Sequence, residues 1–151
     1  MILTFVLLLF VQDHQADHHP SDVDKRGDKA LGFSHEKTTH HFLIRPDGGA
    51  IQVTANDPKD RESRDEVQMH LGHIAKMFAD GDFNIPMLVH DQVPPGSEKM
   101  AALKSEIKYT YEKLPNGGRV RIVTKNADAL AAIHEFLRFQ ITDHQTGDPL
   151  Q

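Results

Sequence analysis

Cysteine is absent from this 151-residue chain. Disulfides, CxxC redox chemistry, thiolate zinc sites and covalent c-type haem attachment are therefore excluded. Any metal must be held by His, carboxylate, Met or backbone oxygen. An excess of basic charge is lacking too. The formal net charge is -5 with acids and bases interleaved, which argues against a nucleic-acid partner. No apolar run is long enough to span a bilayer: Ile2 to Val11 has ten residues, and a spanning helix needs about 20. There is no P-loop, dinucleotide fingerprint or nucleophile elbow. Gly48-Gly49 and Gly117-Gly118 read as turn glycines. The metalloprotease pattern HExxH is missing as well, because Glu66 precedes His70 and no His precedes that Glu.

What remains is enough for a core. Hydrophobic residues make up 38% and charged residues 26%, which fits one folded domain with a tail. Residues 1–12 match the apolar region of a signal peptide in length, or form a short apolar anchor. That predicts export to the periplasm or the exterior, and a cytoplasmic protein if the run is not a signal. Residues 13–35 form a His/Asp-rich arm without helical or strand period, including His14, Asp17, His18, His19, Asp22, Asp24 and Asp28. Within it, Arg26-Gly27-Asp28 reads as a turn. Residues 36–149 carry the single domain.

The domain reads as α+β. Thr39 to Ala55 is a hairpin around Pro46-Asp47-Gly48-Gly49. With Arg45 facing Ala50, Ile44 pairs with Ile51, Phe42 with Val53 and His40 with Ala55, all inward. Asp57 and Pro58 open a helix from about Lys59 to Ala79. Its core stripe is Val67, Leu71, Ile74 and Phe78, flanked by Glu66, His70, His73 and Met77. Ile85 to His90 reads as a short buried strand. A helix over Glu98 to Glu106 follows, capped by Ser97. A second hairpin turns at Pro115-Asn116-Gly117-Gly118. Asn126 caps a last helix, Ala127 to about Asp143, with Leu130, Ile133, Leu137 and Ile141 inward. Phe136 and Phe139 lie off that stripe and suggest a homodimer contact.

The two hairpin-helix units match in pattern, giving duplicated ββα units in the order ββα-βα-ββα, with one sheet backed by helices. His70 and His134 sit mid-helix in the two copies, and a two-fold arrangement would bring them together. The 11 histidines then pose the chemical question. His70, His73 and Met77 have the i, i+3, i+7 spacing of a helical ligand row, and His90, His134 and His40 are candidate long-range ligands. A His/Met set points to copper first and zinc second. The alternatives are an interaction module without metal and a small enzyme using His90, Asp91 and His134 for acid–base chemistry. A bland reading stands beside each: solvated flank histidines, Met77 as core filler, and His134 satisfied by a backbone carbonyl.

From Arg26 to Pro149 the chain resembles a family of small, uncharacterised bacterial proteins. Arg26-Gly27-Asp28-Lys29-Ala30-Leu31-Gly32-Phe33, Thr38-Thr39-His40-His41-Phe42, Phe136-Leu137-Arg138-Phe139-Gln140-Ile141 and Asp143-His144-Gln145-Thr146-Gly147-Asp148 carry the likeness. The resemblance implies no activity. It does imply that Arg26 to Phe33 belongs to the domain.

Overall fold

A computed structural model describes residues 20–151; the apolar run Ile2 to Val11 and His14, His18 and His19 lie outside them. The elements run α1 (Pro20–Leu31), β1 (Thr38–Arg45), β2 (Gly48–Ala55), α2 (Arg61–Ala79), α3 (Asn84–His90), α4 (Ser97–Ala102), β3 (Ile107–Leu114), β4 (Gly117–Thr124) and α5 (Ala127–Asp143). The four strands form one antiparallel sheet in the order β1-β2-β4-β3, so the fold is α+β. Among the described residues no helix is long and apolar enough to cross a membrane.

Both hairpins close through two-residue turns, Pro46-Asp47 and Pro115-Asn116. Arg45 thus pairs with Gly48 rather than Ala50, and Phe42 with Ile51. The register moves by two residues relative to the sequence reading. Because side chains alternate with period two, the inward set is unchanged. Gly48 requires glycine twice over: its φ is 143°, and a Cβ there would collide with the Ile122 carbonyl. The turns also tie the halves together. Thr124 N donates to Asp47 O and Ala55 N donates to Asn116 O, at corresponding places in the two hairpins.

Ile51 pairs with Val120 at the centre of the β2-β4 ladder, which relates the hairpins by an approximate two-fold axis. Both long helices cover the same face, and each lies mainly over the other half's hairpin: α2 on β3 and β4, α5 on β1. Val67, Leu71, Ile74 and Phe78 of α2 meet Ile133, Phe136, Leu137 and Ile141 of α5 above Phe42, Val53, Val120 and Ile122. Each of these large side chains contributes roughly 1.5–3 kcal/mol by leaving water. Asp60 caps α2 through Ser63 N at 3.0 Å. Asn126 caps α5 through Asp128 N and Ala129 N. The helix α2 therefore starts two residues past the expected position, and Asp57 instead closes the preceding turn on Lys59 N.

Three expectations about secondary structure are corrected. Ile85 to His90 is helix, not strand: Pro86, Val89 and His90 are buried while Asn84, Met87 and Leu88 are exposed, a helical rather than alternating pattern. Pro86 is tolerated because it falls in the first turn, where no intrahelical donor is needed. Pro20 to Leu31 is a helix packed on α3, with Val23 buried, so Arg26-Gly27-Asp28 is helical rather than a turn. The helix expected over Glu98 to Glu106 starts at Ser97, whose hydroxyl donates to Pro94 O instead of capping it, and after Ala102 it gives way to a 3₁₀ turn over Lys104–Glu106. The second apolar side of α5 is used inside the molecule, where Phe136 meets Phe78 and Phe83 edge-on and Phe139 packs on His90.

Candidate functional site

The cleft between α2 and α5 over the first hairpin is not filled. It leaves a cavity of about 70 Å³, roofed by α3 and by Leu31 at the end of α1. Its walls are mostly apolar, with Phe42, Ile51, Leu71, Ile74 and Phe136 among them. The polar groups on it are His40, His70, His90 and Gln140. His144, one residue past α5, stacks on His40 with ring centroids 5.8 Å apart and planes 7° from parallel. It also meets His90 edge-on at 4.9 Å. Phe33 packs against both His40 and His70. Three imidazoles, from β1, α2 and α3, thus line one pocket, and His144 at the end of α5 packs on two of them.

Burial controls their charge. Desolvation, helped by the neighbouring His41, pushes the His40 pKa down to about 4. Desolvation, helped by His40 and His73, pushes His70 down to about 4. Desolvation, with His90 and His40 adding to it, pushes His144 down to about 3. All three are neutral at pH 7. Among the described residues, imidazole hydrogen bonds engage His35, His41, His90 and His134, and none engages His40, His70 or His144. Of these three, His40 and His70 line the cavity.

His90 is different. Its Nδ1 bonds the Asp143 carboxylate and its Nε2 bonds Gln140 Oε1 at 2.8 Å. With neither nitrogen free, His90 fastens the end of α3 to α5. Arg26 supports the same roof by donating from Nε to Val89 O at 2.8 Å.

The other candidates fall elsewhere. His134 Nε2 sits on Arg45 O at 2.9 Å and Gly48 O at 3.1 Å, outside the pocket. Its counterpart in the other half is Gln68, equally far from its helix cap, which bonds Leu114 O at 3.0 Å. The counterpart of His70 is Phe136. The pairing of His70 with His134 is therefore corrected: each long helix pins the end of the opposite hairpin, and His134 is one of those pins. His73 points to solvent. Met77 is half-buried against the core. Asp91 is exposed, in the left-handed conformation at φ 53° that ends α3. His90, Asp91 and His134 share no pocket. Among the described residues no three His, Asp or Glu side chains are placed to hold one metal ion.

Sequence reasoning passed over His144, Gln140 and Asp143. The available signal was positional. Counted from the caps, His144 occupies the place of Phe78, and His40 occupies the place of Tyr109. Phe78 and Tyr109 pack edge-to-face at 5.9 Å in their half, where His144 and His40 stack in theirs. Outside the pocket, His41 Nδ1 bonds Asp148 Oδ1 at 2.9 Å, and Asp148 also accepts from Phe42 N on the outer edge of β1. His35 bonds Asp28 at 2.9 Å, which raises its pKa. Comparison with family models, curated proteins and solved structures gave no match.

Proposed function

We propose that this domain binds one compact, mostly apolar molecule in the α2–α5 cavity, with the neutral imidazoles of His40 and His70 accepting from an N–H or O–H of the ligand. The observation that carries the reading is the pair of matched positions. One half packs Phe78 on Tyr109, and the other presents His144 on His40. The aromatic pair packs the core, with the Tyr109 hydroxyl buried and without a partner among the described residues. The half-buried imidazoles put ring nitrogens with lone pairs where the other half has only aromatic carbon and a phenol. The cavity has roughly half the volume of one that holds benzene, which limits an unassisted ligand to a few non-hydrogen atoms.

A second reading is a transition metal, copper ahead of zinc, favoured by the neutrality of these rings: no proton must be displaced. With no third protein ligand converging, an ion here takes two imidazoles and completes its shell from outside. That suits a soft, low-coordinate Cu(I) better than a closed tetrahedral zinc site. Export belongs to this reading, supported by the length of the apolar run Ile2 to Val11.

The test uses the full chain without an affinity tag, titrated with n-propanol, pyrrole and phenol as a size series, and separately with Cu(I) and Zn(II). The readouts are the thermal midpoint and the ¹⁵N shifts of the His40 and His70 rings. Pyrrole should raise the midpoint and shift both rings, and His40→Phe or His70→Phe should remove the effect. Silence from every small molecule sinks the first reading. One Cu(I) per chain, lost in the same variants, puts the metal in its place.

A further inference from the structure

The molecule carries a second, unrelated surface. Met87, Leu88 and Val93 are exposed by 37%, 66% and 45%, and they lie together around the end of α3. Two open grooves of about 360 and 610 Å³ meet there and share Asn84, Met87 and Val93. Asp80, Asp82 and Glu98 line the first groove and Asp91 the second, and neither is lined by a Lys or Arg. None of these four carboxylates joins an ion pair among the described residues. Lys104 beside the first groove donates to the backbone carbonyl of Asp80 and forms no ion pair with its carboxylate.

We infer that this face docks a basic amphipathic helix from a partner protein, its apolar stripe on Met87, Leu88 and Val93 and its Lys or Arg residues against Asp80, Asp82, Asp91 and Glu98. Several observations fix the chemistry of the occupant. The apolar centre accounts for three of the exposed large hydrophobic side chains, and methionine adapts its shape to a partner. Two adjoining grooves suit the i, i+3, i+4, i+7 anchors of a helix better than a single plug. The rim is of one sign, so an acidic partner is repelled and a basic one steered in. The surface lies on the outside of the same helix whose inner side roofs the cavity, so a partner held there would also bias the roof.

The experiment uses the full chain and two synthetic Leu/Lys peptides of equal composition and about 18 residues, one with helical period and one scrambled. Binding is measured by calorimetry at about 0.01 M and about 0.3 M salt. The periodic peptide should bind at least about ten-fold tighter than the scrambled one, and Leu88→Asp should weaken it by about ten-fold or more. Asp82→Asn with Asp91→Asn should flatten the salt dependence while leaving the circular dichroism unchanged. Equal binding of the two peptides, or an unchanged Kd in Leu88→Asp, overturns the inference. A concentration-dependent dimer in sedimentation that Leu88→Asp abolishes also overturns it, by giving the face to a second copy of this chain.

Discussion

Acidification to about pH 5 should destabilise this protein well before its carboxylates protonate. His40, His70 and His144 have an ordinary value of 6.5 and folded values of about 4, about 4 and about 3. Below pH 6.5 the unfolded chain takes up protons that the folded chain refuses. Stability therefore rises with pH across this window and is lost as pH falls, until the folded values are reached. At pH 5 each ring contributes a loss of about 2 kcal/mol, and the three together about 6 kcal/mol if they titrate independently. That compares with a total stability of about 5–15 kcal/mol for an ordinary domain. Mutual repulsion among the rings makes each protonation of the folded state harder than the one before it.

The groups around these rings mostly deepen the depression, and only Asp28 opposes it. Asp28, His35 and His41 act on His40, His73 on His70, and His90 on His144. His35, raised by Asp28, works the other way, since its contribution is fully present at low pH and is lost as pH rises; its exposure keeps it small. Asp47, Asp60 and Asp148 are held below the usual carboxylate range and stay ionised in this window. Urea unfolding followed by circular dichroism at about pH 7.5, 6.5, 5.5 and 5 gives the slope directly. His144→Phe, which copies the matching Phe78, should reduce that slope by about a third. A total loss of less than about 1 kcal/mol between pH 7.5 and 5 would refute the claim that the three rings are desolvated in the folded state.

Other outcomes follow from single contacts. His134→Gln copies Gln68 and should hold the Arg45 carbonyl with stability within about 0.5 kcal/mol of the wild type. His134→Ala should lose about 1 kcal/mol, and neither should change ligand or metal titrations of the pocket. Asp148→Ala removes the acceptor for Phe42 N, His41 and Thr146 and should cost about 2 kcal/mol in urea titration. Gly117→Ala drives a methyl into the Val53 carbonyl and should cost about 3 kcal/mol, a fall of several degrees in the thermal midpoint. Gly72→Ala meets nothing within 4 Å, lies mid-helix, and should instead stabilise by about 0.5–1 kcal/mol.

The hairpins and both long helices are legible because their signals are local: a proline-led turn with Gly at its end, an Asp or Asn cap, and a stripe of period 3.6. The two-residue slip in the first register was not, since both turn lengths fit Pro46-Asp47-Gly48-Gly49. The helix α3 hid because a short apolar run does not declare its period, and its exposed Met87 and Leu88 are as apolar as its buried side. The helix α1 hid because its only strongly buried hydrophobic residues are few, Val23 chief among them. For the site, His40, His70 and His90 stand on the pocket because each is on an inward or flanking position of its own element. His144 was missed because it lies past the helix end, off any stripe. The role of His134 depends on a carbonyl contributed by a distant hairpin, which no local pattern encodes.

The pocket exists where the two halves of the fold stop matching. In one half α2 lays Ile74 and Phe78 over the second hairpin beside Tyr109. In the other, α5 lays Gln140 and His144 over the first hairpin beside His40. Gln140 binds His90, and His90 holds the roof, so these replacements create the cavity and its cover together. If the histidines serve binding rather than folding, returning them to aromatic hydrocarbon should trade one for the other. The double variant His40→Phe with His144→Phe keeps the Gln140–His90 tie and removes two half-buried imidazoles. It should be at least as stable in urea unfolding at pH 7.5, lose most of the acid sensitivity, and no longer respond to pyrrole. A loss of about 2 kcal/mol instead would mean that the stacked imidazoles are part of the packing, and the cavity would then be a by-product of that packing rather than a binding site.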